Sequence, residues 1–231
     1  LAQQASRREG RLLAISLCLA ALAGWVDALG LIKTGDLFVS FASGNTTHFA
    51  NALAGAADRP GRPAIVLGGF LAGVIAGELL AGPPDRPRRV LVLACEAVML
   101  TAAWICTRGG APLLPTVALL ALAMGTQNAS VHEAGGVSMA LTYVTGSYVK
   151  VGRGIADALA GRGAWSEVFP YAALILALGT GAFAGAIVFG ALRDDAIALA
   201  AGACLLIAVW TSRLTPTSAQ AEDDDGNQPP I

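Results

Sequence analysis

Charge is scarce in this sequence and unevenly spread. Only 13% of the 231 residues are Asp, Glu, Lys or Arg, about half the share of a typical soluble domain. Four stretches carry no charge at all: 12–26, 113–131, 168–192 and 196–211. A hydrocarbon core about 30 Å thick needs roughly 20 apolar helical residues to span it. So many uncharged stretches in so short a chain leave too little polar surface to cover them as core helices of one globule. That excludes a soluble enzyme domain. The net charge of −1 offers no basic surface to a phosphate backbone, so no nucleic-acid partner is expected.

Reactive side chains are equally sparse. The four cysteines, Cys18, Cys95, Cys106 and Cys204, lie in or at the ends of apolar segments. They have neither disulfide-framework nor metal-ligand spacing and read as small buried hydrophobes. His48 and His132 are the only histidines. His132-Glu133 begins a metal motif, but no second histidine follows at i+4. Metal sites need three or four ligands, so neither a metal nor a cofactor is expected. No Gly-rich phosphate loop, nucleophile elbow or paired His/Asp constellation occurs, and the chain is not expected to be an enzyme.

What the sequence does contain is an ordered self-similarity. Gly24-Trp25-Val26-Asp27-Ala28 aligns with Gly125-Thr126-Gln127-Asn128-Ala129, and Phe41-Ala42-Ser43-Gly44-Asn45 with Tyr143-Val144-Thr145-Gly146-Ser147. Asn51-Ala52-Leu53-Ala54-Gly55 then matches Asp157-Ala158-Leu159-Ala160-Gly161, and Leu71-Ala72-Gly73 matches Phe183-Ala184-Gly185. Each match is weak in an Ala/Gly-rich chain, yet the order holds. The expected fold is therefore all-α: a polytopic membrane protein of two internal repeats, each of about four hydrophobic segments. Those segments are 12–32, 37–57, 64–82 and 90–107, then 113–132, 138–160, 168–192 and 195–212. Residues 1–213 form one membrane domain, with repeat halves at 12–107 and 113–212. Residues 214–231, with three prolines and the run Glu222-Asp223-Asp224-Asp225, form a disordered acidic tail.

The start of the chain imitates a secretory signal, with Arg7, Arg8 and Arg11 before an apolar run. A similar segment recurs at 116–125, so the first run reads as a retained membrane helix. Segments 37–57 and 138–160 are too polar to face lipid all round. If both span, eight helices cross and the repeats are parallel; if both are re-entrant, six cross and the repeats are inverted. The positive-inside rule balances similarly for both and places both termini in the cytoplasm either way.

The candidate site residues come from those polar segments. On a helix, Asp36, Ser40, Ser43/Gly44, Thr47 and Asn51 share one face, a polar stripe suited to an aqueous cavity or interior site. Gly44 and Gly146 hold matching places where a helix break would free backbone groups for a ligand. Hydrogen bonding between helices is the competing explanation of such a stripe. Asp27 lies in an otherwise uncharged helix and has neutral Asn128 as its counterpart. A carboxylate in low dielectric is either paired or carries a proton, making Asp27 a candidate proton carrier or cation ligand, with Lys33 a possible partner. Glu96 is a similar candidate. Gly69, Gly73 and Gly77, echoed by Gly181 and Gly185, form helix faces for close backbone packing. Trp25, Trp104, Trp165 and Trp210 lie near segment ends, as an interfacial belt requires.

The motifs around Asp27, Phe38–Thr46, Gly125–Ala129 and 142–146 resemble those of the YoaK-like family, bacterial inner-membrane proteins carrying domain of unknown function 1275. The likeness covers about 12–213. Ser43 departs from the family's Thr-Gly-Asn pattern but preserves the hydroxyl. The resemblance implies a multi-pass protein of the inner (plasma) membrane, for which transport is the role usually supposed. The expected function is a small secondary transporter or permease, with its site between the repeats at Asp27, Ser43, Gly44, Asn45, Thr47, Asn128, Thr145, Gly146 and Ser147. Its partners would be the lipid bilayer and an unknown small solute or ion. The alternative is a non-transporting membrane protein that binds lipid or a partner protein.

Overall fold

A computed structural model describes residues 2–56, 60–83, 88–130, 133–134, 137–138 and 144–214. The helices are α1 (Ala2–Thr34), α2 (Ala42–Leu53), α3 (Gly61–Ala81), α4 (Arg89–Arg108), α5 (Leu113–Gln127), α6 (Val144–Leu159), α7 (Phe169–Leu192) and α8 (Asp195–Leu214). Short 3-10 turns cover Asn128–Ser130 and Trp165–Glu167. Glu133–Ala134 (β1) and Val137–Ser138 (β2) make a small antiparallel pair between α5 and α6. The all-α class is as expected, and five helices are long and apolar enough to cross a membrane: α1 from Gly10, α3, α4, α7 (from Trp165) and α8. The acidic tail expected beyond residue 214 and His132 lie outside the described residues.

Helix ends follow local chemistry. α1 stops at Gly35, whose φ of +84 suits a residue without a Cβ and whose amide donates to Leu31 O at 2.7 Å. Pro112 precedes α5, and Pro170 occupies the first turn of α7, where its missing N–H costs nothing.

Glycine faces hold the bundle together. A Cβ added at Gly24 would lie 2.0 Å from Leu178 O, and one at Gly181 would lie 1.9 Å from Ala21 O. α1 and α7 therefore touch backbone to backbone. α3 and α5 do the same: a Cβ at Gly73 would lie 2.1 Å from Leu122 O, and one at Gly125 would lie 2.1 Å from Phe70 O. Small residues permit this approach, which gains dispersion energy that lipid cannot match. α5 is the central helix. Thr116, Val117, Leu120, Ala121 and every residue from Ala123 to Gln127 are buried.

These contacts also give the helix directions. Gly181 meets Ala21 and Gly185 meets Trp25, so α1 and α7 run parallel. Gly73 meets Leu122 and Gly77 meets Thr126, so α3 and α5 run parallel too. α4 and α8 are antiparallel: Cys204 Sγ donates to Leu93 O at 3.3 Å, and Trp104 Nε1 donates to Asp195 Oδ1 at 3.0 Å. α5 runs the length of α4, from the Thr107–Thr116 hydroxyl contact (3.1 Å) to Arg89 Nε donating to Ser130 O (3.1 Å).

Parity follows. Were α6 a crossing, α4 and α8 would point the same way; with α6 removed, parallel α1 and α7 require that α2 does not cross either. Length agrees for α2, whose 12 residues reach about 18 Å against a core of about 30 Å. The directions fit six crossings rather than eight, a choice that charge alone left open. The six are the five long helices and α5, whose 15 residues continue through the turn Asn128–Ser130 to the Arg89 end of α4.

Three local expectations are corrected. Residues 36–41 are not helical, so Asp36 and Ser40 do not continue the α2 face bearing Ser43, Thr47 and Asn51. The chain bends back here because Asp27 captures its amides, a long-range bond invisible to periodicity. Lys33 does not pair with Asp27; it bonds Asp194 at the start of α8. Only Cys204 among the cysteines is fully buried, and Cys18 is exposed, because it faces an open apolar groove between α1, α7 and α8. Among the tryptophans, Trp25 Nε1 donates to Ala196 O at 3.0 Å and Trp104 bonds Asp195, while Trp165 and Trp210 are exposed.

Candidate functional site

α1 ends at Thr34, and Arg62 at the start of α3 donates to Thr34 O at 2.9 Å. The chain thus leaves after Thr34 and is back at the same end of the bundle by Arg62. Within that excursion, residues 37–41 descend along α1 and α2 climbs back.

Two side chains hold the descending segment. Asp27, about two turns inside the end of α1, accepts from the backbone N–H of Val39 and of Ser40, each at 2.8 Å, and from the Ser40 hydroxyl. Asn45, in the first turn of α2, accepts from Phe38 N–H at 3.1 Å and donates to Phe38 O. Non-helical backbone at membrane depth needs such partners, because lipid supplies none. Half-buried Asp27 and buried Asn45 are the hydrogen-bonding anchors of the loop. The break lies upstream of Gly44, which is inside α2. A Cβ at Gly44 would lie 3.3 Å from the Phe41 ring, which stacks edge-on against Phe38 at 5.8 Å. Gly44 makes room for two aromatic rings rather than breaking a helix.

A cavity of about 330 Å³ opens beside the anchor. Asp27 and Ser40 supply its polar corner. Phe38 and Phe41 bound it on one side, and Val144 of α6 with Leu178 and Ala182 of α7 close the other. Both sequence halves therefore contribute walls.

Of the nine residues expected at the site, Asp27 alone lines this cavity. Asn45 is buried behind it. Ser43 and Thr47 are exposed, with Thr47 Oγ1 donating to Ser43 O at 3.3 Å. Thr145 is exposed, Gly146 buried and Ser147 half-buried in the first turn of α6. Asn128 donates to Met124 O at 2.9 Å within its own helix end. Phe38, Val144 and Leu178 were missed as lining residues; Ser40 was placed in the polar stripe by sequence but not among the nine site residues.

This architecture, a bundle of long apolar helices with irregular backbone held at membrane depth, defines a multi-pass membrane protein. The chain belongs to the family described as "Protein of unknown function (DUF1275)", whose model matches residues 15–210. It is similar to a UPF0700 transmembrane protein of Rhizobium meliloti (strain 1021), 35% identical over 154 residues. The match covers 64% of this chain and 64% of that relative's length. No solved structure matches the chain.

Proposed function

We propose that this protein is a small secondary transporter or permease of the inner membrane, not an enzyme, with both termini in the cytoplasm and its site in the cavity beside Asp27. The observation that carries the reading is the composition of that cavity: an anchored, non-helical segment of the first half faces α6 and α7 of the second. About 330 Å³ suits a small solute, at the lower end of the range for ligand pockets. Its walls are apolar apart from the Asp27–Ser40 corner, so the solute class favoured is compact and largely apolar with one hydrogen-bonding group.

A matching pattern of helix contacts in the two halves, which we read as an inverted internal repeat, supports this proposal. α1 packs on α7 as α5 packs on α3, and the close approaches correspond one for one. Gly24 against Leu178 matches Gly125 against Phe70, and Gly181 against Ala21 matches Gly73 against Leu122. The contacts thus pair Gly73 with Gly181, one helical turn from the Gly185 that sequence alignment pairs with it. Three crossings per half turn the second half upside down relative to the first, the plan in which rocking of one half against the other exposes a central site alternately.

The alternative, a non-transporting protein that binds lipid, is favoured by a second cavity. It measures about 520 Å³, lies between α1, α7 and α8, and is lined by apolar residues including Leu22, Leu199 and Leu206. One experiment separates the readings. Phe41→Cys, in a background without the native cysteines, is treated with a membrane-impermeant maleimide in vesicles of each orientation. Transport expects labelling from both faces of the membrane. Labelling from neither face would overturn it and leave the lipid-binding role.

A further inference from the structure

The anchored state of Asp27 raises the question of which intramembrane group is free to exchange a proton. Asp27 has three donors. Glu96 has none. It lies fully buried in α4, about 10 Å along the helix from Arg89, and neither carboxyl oxygen has a hydrogen-bond partner. Among the described residues, the one other buried side-chain atom without a partner is Gln127 Oε1 on α5. Gln127 is held by its amide, which donates to Leu19 O at 2.7 Å.

The two groups lie at one level. The Thr107–Thr116 contact sets the register of antiparallel α4 and α5, and Glu96 and Gln127 each lie eleven residues from it. Three oxygen acceptors are thus buried at one depth of the core, none of them in a hydrogen bond among the described residues.

Among the described residues, no charge stands beside Glu96 to balance a carboxylate. α5 and the turn Asn128–Ser130 contain no titratable side chain. On α8, Cys204 borders the carboxyl but donates to Leu93 O, while Asp195 and Arg213 lie at the two ends of the helix. On α3, Glu78 is exposed, and Arg62 lies at the far end beside Asp36. On α4 itself, Arg89 donates to Ser130 O, Arg108 pairs with Asp195, and Cys95 and Cys106 are half-buried. An unpaired buried carboxylate costs many kcal/mol. A hard cation in its place would call for about six oxygens, twice the number present. A proton needs one oxygen to hold it and one to accept its hydrogen bond.

We propose that Glu96 is the proton-carrying group of this protein, holding its proton in the core with Gln127 Oε1 as the hydrogen-bond acceptor. Uptake forms one O–H bond on Glu96. Release breaks that bond, passes the proton to water and leaves the carboxylate. That the proton couples to solute movement rests on the transport reading; that Glu96 holds it does not.

Infrared spectroscopy of the purified protein in lipid bilayers at pH 7 tests this directly. A protonated-carboxyl C=O band is expected in the wild type, retained in Asp27→Asn and lost in Glu96→Gln. Glu96→Gln, a neutral isostere, is expected to unfold at the wild-type temperature. A missing wild-type band, or a band that survives Glu96→Gln, overturns the proposal. So does thermal stabilisation of the wild type, but not of Glu96→Gln, by added Na⁺ or K⁺, which would make the site a cation site. Absence of maleimide labelling at Phe41→Cys removes the transport reading and leaves the infrared result standing, so the two failures are distinguishable.

Discussion

Ser40 donates to Asp27 twice, through its amide at 2.8 Å and through its hydroxyl, across thirteen residues of chain. With the Val39 amide, this fastens the re-entrant segment to α1. One intramembrane carboxylate thereby does what a turn of helix does elsewhere: it satisfies backbone groups that lipid leaves bare.

Substitution at this anchor should rank by the number of donors orphaned. Asp27→Ala strands two amides and a hydroxyl and is expected to cost about 3 kcal/mol. Ser40→Ala removes one hydroxyl donor and is expected to cost about 1 kcal/mol. Asp27→Asn keeps one carbonyl oxygen for the amides and falls between them. Unfolding in detergent measures the series. A Ser40→Ala loss equal to that of Asp27→Ala would show that the amides are not held by Asp27.

The glycines divide into two groups with opposite expectations. Gly24, Gly73, Gly125 and Gly181 have a neighbouring backbone oxygen at 1.9–2.1 Å from where a Cβ would stand, so alanine forces the helices apart. Each should lose about 1–3 kcal/mol, the usual cost of overpacking. Gly68, Gly179 and Gly190 have nothing within 4 Å of that position. Alanine there should be neutral or stabilise by up to about 1 kcal/mol through helix propensity. Thermal melts of the seven variants check the division, which fails if the two groups overlap.

Six crossings place Gly55, Gly110 and Arg193 on one side of the membrane; eight would separate Arg193 from the other two. Single cysteines at these positions, in a background without native cysteines, should all react with an impermeant reagent from the same side. Reaction of Arg193→Cys from the opposite side would refute the helix directions.

The membrane environment, the positions of the spans and the glycine faces were legible from sequence because each depends on local composition. Transfer of an uncharged stretch into hydrocarbon is nearly additive along the chain, and a helix brings residues three and four apart onto one face whatever it packs against. The long-range contacts were not legible. A period-four stripe from Asp36 to Asn51 predicts one helix, yet helix starts at Ala42, because Asp27 captures the amides of Val39 and Ser40. Gly44 and Gly146 were readable as special positions, but not as residues inside helices.

Sequence by itself determined that this chain lives in a bilayer as a helical bundle and that Asp27 and Glu96 are exceptional within it. Only the tertiary structure decided what each carboxyl meets: three donors for Asp27, and for Glu96 a thiol that gives its hydrogen elsewhere. The physical reason is that desolvation is written into a helix's own residues, whereas compensation for it comes from atoms brought in by other parts of the chain.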